Sequence, residues 1–229
     1  MIIAMDGTAS SGKSTLAKRL SKKLGFVYCN TGAIYRSLAI KAERVLGKSA
    51  YEKYNENDIY EAIKSADIKL GSTPSGEYFV SLDGEDVTIE ANSSYISSVV
   101  ANYSKIPMLR EFTRVLQQTI ATANDSVVEG RDIGTVVFPN AEVKFFISAS
   151  PEVRANRRYS DHIRKGENVS YEAILQDILE RDRMDTEREI SPLKPAEDSI
   201  IIENNGSDPD VVVDILVNHV NAYRLKAGL

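Results

Sequence analysis

The sequence predicts an α/β fold in which helices cover both faces of a five-stranded parallel sheet. Five short, continuously apolar runs alternate with segments of helical periodicity, as expected for parallel strands buried on both faces. The first run leads directly into a glycine-rich loop that opens a helix. The predicted strands lie near residues 2–5, 26–29, 126–129, 143–147 and 200–203.

The first twenty residues are the most informative stretch of the chain. After an apolar run over residues 1–5, residues 7–14 read Gly-Thr-Ala-Ser-Ser-Gly-Lys-Ser and fit the pattern G-x-x-x-x-G-K-[ST]. Apolar residues at helical spacing follow, and Gly25 stands where a helix C-cap is expected. Because strand, loop and helix occur in this order, the stretch predicts a phosphate-binding loop rather than a glycine-serine loop with an incidental lysine.

Each residue type in this loop has a physical role in binding a polyphosphate. Gly7 and Gly12 can adopt backbone angles closed to other residues and let a ligand approach the main chain. The N–H groups of the loop would converge on the phosphates at the positive end of the helix dipole. Lys13 would reach the outer phosphates, and the Ser14 hydroxyl would bind Mg²⁺.

Composition limits the classes of protein that the chain can represent. Its 229 residues can bury one sizeable core with a small appended lobe. The net charge of −5 argues against a nucleic-acid binder. The single cysteine, Cys29, cannot form an internal disulfide, so we expect a reducing cytoplasm. No segment approaches a membrane span, and the N-terminal run reads as a core strand rather than a signal peptide.

The segment after the second strand predicts two helices. Asn30 or Thr31 can cap a helix that runs through Ala42. A polar segment over residues 48–57 follows, and a short helix is expected over residues 59–65. These elements continue the alternation of strand and helix.

Residues 67–89 change character and predict an inserted antiparallel unit. Two loosely alternating runs are expected at residues 68–70 and 78–82, with a turn-rich link over residues 71–76 between them. A hairpin turn is expected at residues 83–84, and a returning strand over residues 87–89. The hairpin signal is the Asp-Gly pair at residues 83–84. Because such a unit interrupts an alternating α/β chain, we predict a separate lobe here.

The remaining segments predict helices around the last three strands. A helical pattern over residues 96–123 includes Pro107 at a helix start. Ser150 and Pro151 are expected to open a helix that ends near Gly166, and a further helix is expected over residues 170–185. An amphipathic closing helix follows the Asp-Pro pair at residues 208–209.

A charged segment closes the third strand, where residues 129–134 read Glu-Gly-Arg-Asp-Ile-Gly. Glu129 could hold a magnesium ion or its waters opposite Ser14. Arg131 and Asp132 would face the same crevice, because the carboxyl ends of parallel strands meet at one edge of a sheet. A charged turn that is satisfied by local ion pairs is the alternative.

Two sets of charged residues recur at helical spacing. They are Arg154, Arg157 and Arg158, and further along Arg181, Asp185 and Arg188. The second set shares one face only if its helix continues to residue 188. Such runs are most often solvated helix faces. A net-acidic protein that brings two polyanions together must, however, concentrate cations locally, and arginine binds phosphate bidentately.

Histidine usage indicates the kind of acceptor. The two histidines, His162 and His219, both lie away from the strand ends. A kinase that acts on an alcohol would benefit from a positioned base. A phosphate monoester is already ionised at neutral pH and needs only positioning and charge neutralisation. Many arginines without a histidine base therefore favour a phosphate acceptor.

Five blocks of sequence carry a resemblance to a known family. They are residues 7–15, 31–36, 130–139, 154–158 and 181–193. Together they resemble bacterial cytidylate kinases, and the resemblance covers essentially the whole chain. It implies a P-loop nucleoside-monophosphate kinase, a transferase of pyrimidine nucleotide metabolism. Such an enzyme moves the γ-phosphoryl group of ATP to CMP or dCMP with Mg²⁺, giving ADP and CDP or dCDP.

The resemblance also implies roles for individual residues. ATP would lie on Gly7, Thr8, Ala9, Ser10, Ser11, Gly12, Lys13, Ser14 and Thr15, and Mg²⁺ on Ser14 and Glu129. The monophosphate would be bound by Thr31, Tyr35, Arg36, Arg110, Arg131, Asp132, Arg181, Asp185 and Arg188, with Asp185 at the sugar hydroxyls. The catalytic set would be Lys13, Arg131, Arg157, Arg158 and Arg181, of which Arg157 and Arg158 belong to a lid.

The domain organisation implied by the resemblance has a core and an insert. The kinase core would comprise residues 1–65 and 105–229, with a short lid over about 154–168, and residues 66–104 would form the lobe that binds the nucleoside monophosphate (NMP). The expected partners are ATP and CMP or dCMP, with no nucleic acid and no membrane. We expect a cytoplasmic monomer.

The chain departs from the family pattern at Ser11, Ser14, Glu129 and Ala101. Family members often have glycine or alanine-glycine at the first two positions, and commonly aspartate at the third. Ser14 restores a magnesium-binding hydroxyl. Ala101 stands where family members can carry a serine that contacts the base, and Ser98 or Ser104 could substitute for it.

Two other readings of the phosphate loop remain. One is a P-loop kinase for a different nucleotide or for a metabolite alcohol, which differs only in the acceptor. The other is a GTPase switch, which predicts an Asn-Lys-x-Asp motif and an Asp-x-x-Gly motif. Neither motif occurs in the sequence.

Overall fold

The structure, a computed structural model, describes residues 1–72, 78–164 and 166–228. The chain divides into two compact units, which we call the sheet unit (residues 1–28 and 124–229) and the helical unit (residues 29–123). The strands are β1 (Ile2–Gly7), β2 (Val27–Asn30), β3 (Ile68–Ser72), β4 (Tyr78–Leu82), β5 (Glu85–Asp86), β6 (Ser126–Glu129), β7 (Val143–Ser148) and β8 (Ile200–Glu203).

Ten α-helices accompany these strands in the described residues. They are α1 (Lys13–Leu24), α2 (Thr31–Leu46), α3 (Ala50–Lys53), α4 (Glu56–Ile63), α5 (Thr88–Ala91), α6 (Ser94–Tyr103), α7 (Pro107–Thr122), α8 (Pro151–Arg164), α9 (Tyr171–Thr186) and α10 (Pro209–Ala227). A single π-helical turn over Ile133–Val137 follows β6. None of the described helices has the length and apolarity needed to cross a membrane.

The larger sheet has five strands in the order β2-β6-β1-β7-β8. The central strand β1 pairs in parallel with β6 and with β7, and β7 pairs in parallel with β8. Ile3, Met5 and Ile147 are fully buried in this sheet. The five strands lie where the sequence predicts them, and the predicted α/β fold with a separate antiparallel sheet is confirmed.

The register of the sheet brings the ends of three strands to one edge. Met5 of β1 lies opposite Glu129 of β6, and Gly7 of β1 lies opposite Ile147 of β7. Because all three strands run in the same direction, the residues that follow them emerge together. This edge carries the glycine-rich loop and the charged segment that follows Glu129.

Helices α1 and α10 pack against each other and against the sheet. Helix α1 ends at Gly25, which has a φ of 71° and donates its N–H to the Ser21 carbonyl, as a C-cap does. Helix α10 is capped by the carboxylate of Asp208, which accepts from the N–H of Asp210. Both caps are those that the sequence predicts.

Helices α8 and α9 form a pair around Ala155, Ile174 and Ile178. Helix α8 ends at Arg164, close to the expected end near Gly166. Helix α9 begins after Ser170, whose hydroxyl accepts from the N–H of Ala173. Of the two, α8 lies beside the glycine-rich loop, since Arg154 and Arg157 donate to the carbonyls of Ala9 and Ser11.

In the helical unit, α2 is the central element and packs against α4, α6 and α7. Of the two predicted caps, Asn30 is the one that acts, since its side chain accepts from the N–H of Ala33. Helix α7 has Pro107 at its first turn, as predicted. The fully buried Ile34, Leu38 and Tyr103 belong to its core.

The predicted insert contains an antiparallel sheet in the order β3-β4-β5. Asp83 and Gly84 form its hairpin turn, with φ angles of 53° and 87°, as a two-residue turn of this kind requires. The prediction of a returning strand over residues 87–89 was wrong. Because the turn has only two residues, the pairing strand is β5, and α5 begins at Thr88, whose N–H donates to the Asp86 carboxylate.

Other local predictions need adjustment. The polar segment 48–57 contains the short helix α3, and α4 begins at Glu56 rather than residue 59 because Asn55 caps it. The helical pattern over residues 96–123 belongs to two helices, α6 and α7. Most of the turn-rich link expected over residues 71–76 lies outside the described residues.

Candidate active site

The glycine-rich loop between β1 and α1 is held in a conformation that only certain residues adopt. Gly7, Ser10 and Gly12 have φ angles of 143°, 59° and 91°. A Cβ atom on Gly7 would lie 1.9 Å from the carbonyl oxygen of Ile147. Glycine at this position is therefore required by close packing against β7 as well as by backbone conformation.

Lys13 folds back over this loop. Its Nζ donates to the carbonyl oxygen of Thr8 and, at 3.3 Å, to Oγ of Ser11. Lys13 is only 6% exposed. Burial lowers its pKa, and the nearby Arg131 acts in the same direction, whereas Glu129 opposes both. The lysine is thus part of the loop, and charged residues of the segment after β6 affect its pKa.

The predicted magnesium pair is assembled in the structure. The Ser14 hydroxyl donates to Oε1 of Glu129 at 2.8 Å, and Glu129 is 5% exposed. A hydroxyl and a carboxylate are the hard oxygen ligands that Mg²⁺ prefers. Among the described residues, no group of three or more His, Cys, Asp and Glu could hold a metal. A magnesium ion here would therefore take its remaining ligands from phosphates and water, as Mg²⁺ usually does in proteins.

Arg131 and Asp185 form an ion pair between the segment after β6 and helix α9. Arg131 Nε donates to Oδ2 of Asp185 at 3.2 Å, and Nη1 donates to the Gly130 carbonyl at 3.2 Å. Nη2 makes no hydrogen bond within the described residues. Two predicted acceptor-binding residues that are far apart in sequence are thus in contact, and the described part of the chain leaves both N–H donors of Nη2 available.

Arg188 does not share a helix face with Arg181 and Asp185, because the condition for a shared face, a helix that continues to residue 188, is not met. Helix α9 ends at Thr186, and Arg188 lies in the following loop, where its guanidinium group donates to the Ser191 carbonyl. Arg181 is half-buried on α9. The helix therefore supplies Arg181 and Asp185, and the loop supplies Arg188.

Arg154 and Arg157 of α8 do not lie on a solvated helix face. Arg154 is 2% exposed, pairs with Asp182 of α9 and donates to the Ala9 carbonyl at 3.2 Å. Arg157 donates to the Ser11 carbonyl at 3.3 Å, and burial lowers its pKa. Arg158 is half-buried and makes no hydrogen bond or ion pair within the described residues.

Two buried polar residues of this region were missed by the sequence reasoning. Asp6 accepts from the N–H groups of Ile133 and Gly134 at 2.8 and 2.7 Å, which holds the turn after Asp132, and burial raises the pKa of Asp6 to about 6. Asn204, directly after β8, donates to the phosphate loop. The available signal for Asp6 was its position as a charged residue directly after the apolar run 1–5. No sequence signal indicated a role for Asn204.

The helical unit holds the other predicted acceptor residues. The Arg110 guanidinium group lies 5.9 Å from the ring centroid of Tyr35 and donates to the Ser104 carbonyl at 3.1 Å. Thr31 is buried at the start of α2, and Arg36 lies one turn further along. The hydroxyls of Ser98 and Ser104, the predicted substitutes at Ala101, donate to carbonyls of their own helix, which leaves their lone pairs available.

The fold and the loop define the class of protein. A parallel sheet whose first strand leads into a G-x-x-x-x-G-K-S loop, with a buried lysine and a serine–carboxylate pair, is a P-loop nucleotide-binding protein. The Thr8 hydroxyl oxygen in this loop is buried and has no hydrogen-bond partner within the described residues. The loop therefore retains a polar group that a ligand can satisfy.

Comparison with known proteins narrows this class. The sequence profile of the family described as Cytidylate kinase matches residues 3–222. A cytidylate kinase of Pelotomaculum thermopropionicum is 41% identical over 222 residues, covering 97% of this chain and 96% of that protein. One of Bacillus licheniformis is 39% identical, covering 99% and 98%. The chain belongs to the cytidylate kinase family.

A cytidylate kinase of Caldanaerobacter subterraneus is 43% identical over 212 residues, covering 93% of this chain and 91% of that protein. Among solved structures, a shikimate kinase from Bacteroides thetaiotaomicron has a TM-score of 0.49 at 12% identity, covering 96% of this chain and 98% of that one.

Proposed function

We propose that the protein is an ATP-dependent cytidylate kinase, which transfers the γ-phosphoryl group of ATP to CMP or dCMP and releases ADP and CDP or dCDP. The observation that carries the proposal is that the phosphate loop and the Arg131–Asp185 ion pair lie at the same end of β6. The Ser14 hydroxyl of the loop contacts Glu129 at 2.8 Å, and Arg131, two residues after Glu129, pairs with Asp185 at 3.2 Å. This proximity supports a phosphoryl transfer in which the donor site on the loop adjoins an acceptor site at Arg131.

ATP binds to the loop formed by residues 7–15. The backbone N–H groups and Lys13 supply positive charge to its phosphates, because charge stabilisation rather than covalent chemistry drives phosphoryl transfer. Ser14 and Glu129, which are in contact at 2.8 Å, would hold Mg²⁺. The metal, when bound, neutralises charge on the phosphate oxygens.

The acceptor phosphate binds to guanidinium groups. Asp185 and the Gly130 carbonyl fix the orientation of Arg131, which leaves Nη2 as a donor for a phosphate oxygen. The remaining acceptor contacts are proposed for Asp132, Arg181 and Arg188 in the sheet unit, and for Thr31, Tyr35, Arg36 and Arg110 in the helical unit. No general base is required, since a phosphate monoester is already ionised at neutral pH.

During transfer, the developing charge is stabilised by Lys13, Arg131, Arg157, Arg158 and Arg181. Arg158 acts directly, because its guanidinium group has no partner within the described residues. Arg157 also donates to the Ser11 carbonyl of the phosphate loop at 3.3 Å. We assign both arginines to a lid over about residues 154–168, and we assign residues 66–104 to the NMP-binding lobe.

Three further properties belong to the same proposal. The enzyme uses Mg²⁺ with ATP, acts as a monomer without nucleic-acid or membrane partners, and works in the cytoplasm. The oxygen ligands at Ser14 and Glu129 support the choice of metal. The single cysteine, Cys29, is buried and has no second cysteine in the chain with which to form a disulfide, which supports a reducing compartment.

The test is an ADP-release assay across acceptors. CMP and dCMP are expected to support turnover with Mg²⁺ and ATP, and both should be preferred over UMP, AMP and an alcohol such as shikimate. Isothermal titration of each monophosphate should rank CMP or dCMP first. Turnover with shikimate, or preferred binding of AMP, would assign the loop to a different small-molecule kinase.

A further inference from the structure

The carbonyl oxygen of Ser11, in the phosphate loop, is held by two side chains from distant parts of the chain. Asn204 Nδ2 donates to it at 2.8 Å, and Arg157 Nη1 donates to it at 3.3 Å. Asn204 follows β8 and Arg157 lies on α8, so neither belongs to the loop. The loop is therefore anchored from outside at a residue next to Gly12.

Asn204 is itself rigidly placed. Its backbone N–H donates to the Ser148 carbonyl at 2.7 Å, which extends the pairing of β8 with β7. Its carbonyl oxygen and its Oδ1 accept from Arg157 Nη2 at 2.9 and 3.4 Å. Asn204 is 6% exposed. The amide group thus has one orientation that satisfies it, with Nδ2 toward Ser11.

Holding the Ser11 carbonyl also fixes the N–H of Gly12. A trans peptide unit is planar, and its C=O and N–H point in opposite directions. Because the oxygen of Ser11 points toward Asn204, the N–H of Gly12 points to the opposite side of the loop. Arg154 donates to the Ala9 carbonyl at 3.2 Å. Because the peptide unit between Ala9 and Ser10 is planar, this bond also sets the direction of the Ser10 N–H.

Asn204 also packs closely against the loop. A Cβ atom on Gly12 would lie 2.5 Å from Asn204 Nδ2. The contact therefore leaves room only for glycine at residue 12, where φ is 91°. The positive φ angle and the contact with Asn204 therefore both require glycine at residue 12.

We propose that Asn204 is a positioning residue for the phosphate loop, which fixes the Gly12 N–H in the direction that receives a phosphate of ATP. The inference rests on the proposed function in that the loop binds ATP. Asn204 acts through the Ser11 carbonyl and does not touch the reacting atoms. The anion site is thereby oriented before the nucleotide arrives, so little reorganisation is needed on binding.

The test is the variant Asn204→Asp, which replaces the donor by an oxygen that faces the Ser11 carbonyl. The backbone bond to Ser148 and the pairing with Arg157 both survive this change, so the fold should be retained. Asn205→Asp is a matched control, because Oδ1 of Asn205 accepts from the Ser150 N–H at 2.9 Å and a carboxylate can do the same. Asn204→Ala removes the donor without adding a charge.

Dissociation constants are measured by isothermal titration, separately for a non-hydrolysable ATP analogue with Mg²⁺ and for CMP. Asn204→Asp and Asn204→Ala should each weaken binding of the ATP analogue about tenfold, as expected when a buried hydrogen bond is lost. Binding of CMP should change less than about twofold. In a ¹⁵N-labelled sample, the shift of the Gly12 amide resonance on binding should be reduced in both Asn204 variants and unchanged in Asn205→Asp.

Equal losses for both nucleotides, or Asn204 variants that match Asn205→Asp, would overturn the proposal. Thermal melting of all variants shows whether a loss reflects unfolding. A wild-type protein that binds the ATP analogue but does not transfer phosphate to CMP would refute the proposed acceptor. In that case, the affinities of the wild type and the Asn204 variants for the ATP analogue would still test the role of Asn204.

Discussion

The Ser14 hydroxyl donates to Oε1 of Glu129 at 2.8 Å, although 115 positions separate the two residues. The register of the sheet explains this contact, since Met5 of β1 lies opposite Glu129 of β6. The loop after β1 then returns Ser14 to the same edge. A hydroxyl and a carboxylate in contact, at the end of a phosphate-binding loop, are suited to sharing one magnesium ion.

Changing either member of this pair should raise the magnesium requirement. Ser14→Ala and Glu129→Gln remove a ligand or its charge, and each should increase the Mg²⁺ concentration at half-maximal turnover about tenfold. The measurement is ADP release at saturating ATP and CMP over a magnesium titration. Glu129→Asp is the conservative control and should retain most of the wild-type response. Unchanged magnesium curves in both disruptive variants would remove the pair from the metal site.

The loop lysine should be essential for turnover but not for folding. Lys13→Ala removes a buried positive charge from the phosphates and should lower kcat at least about 100-fold, as loss of one transition-state contact does. Lys18→Ala, on the exposed side of the same helix, is the control and should keep near-normal activity. Thermal melting should show both variants folded. Near-normal turnover in Lys13→Ala would contradict the assignment of the loop.

The sequence predicted this part of the molecule well because its signals are local. The spacing of Gly7, Gly12 and Lys13 identifies the loop without any tertiary information. The same holds for the cap at Asn30 and for Pro107 at the start of α7. Each of these features depends on residues within one turn of the chain, where residue type decides backbone conformation.

Features that depend on distant contacts were not predictable in this way. Asn204 touches the loop across 193 positions, and Arg154 reaches Asp182 and Ala9 on other elements. A helical wheel of α8 cannot tell whether Arg154 faces solvent or a buried carboxylate. Helix α9 ends at Thr186, close to the predicted residue 185, but spacing alone does not show whether Arg188 lies inside or outside the helix.

Arg131 should affect use of the acceptor more than binding of ATP. Arg131→Ala removes the donor that Asp185 orients and should raise KM for CMP about tenfold, with KM for ATP changed far less. Arg188→Ala should act in the same direction. Arg183→Ala is the control on α9, because its ion pairs with Glu180 and Glu187 are exposed and contribute little. CMP kinetics that match the control in both variants would make these arginines surface residues.

Asp6 should make stability depend on pH. Burial raises the pKa of Asp6 from 3.8 to about 6, so between these values the folded protein holds a proton at Asp6 that the unfolded chain has released. The folded state binds more protons in this window, and the free energy of unfolding that Asp6 contributes falls as pH rises through it. Well above about pH 6, the contribution of Asp6 to the free energy of unfolding stays low and no longer changes with pH.

Asp6→Asn removes this titration, and urea unfolding of both proteins isolates it. The stability of the wild type relative to Asp6→Asn should fall by about 2 kcal/mol from about pH 4.5 to about pH 7.5. The comparison cancels the groups that titrate equally in both proteins. Parallel pH profiles would show that Asp6 has a normal pKa, and a wild type that gains relative stability with rising pH would show that folding lowers this pKa.

Gly7 should be far less tolerant of a side chain than Gly25, although both have positive φ angles. A Cβ atom on Gly25 meets nothing within 4 Å, so Gly25→Ala carries only backbone strain and should lower the free energy of unfolding by about 1 kcal/mol. A Cβ atom on Gly7 would lie 1.9 Å from the Ile147 carbonyl oxygen. Gly7→Ala therefore adds a steric clash with β7 to the strain, and the loss should reach about 3 kcal/mol. Urea midpoints of the two variants test the difference. Equal losses would show that β7 moves aside, and that backbone conformation alone requires glycine at the start of the phosphate loop.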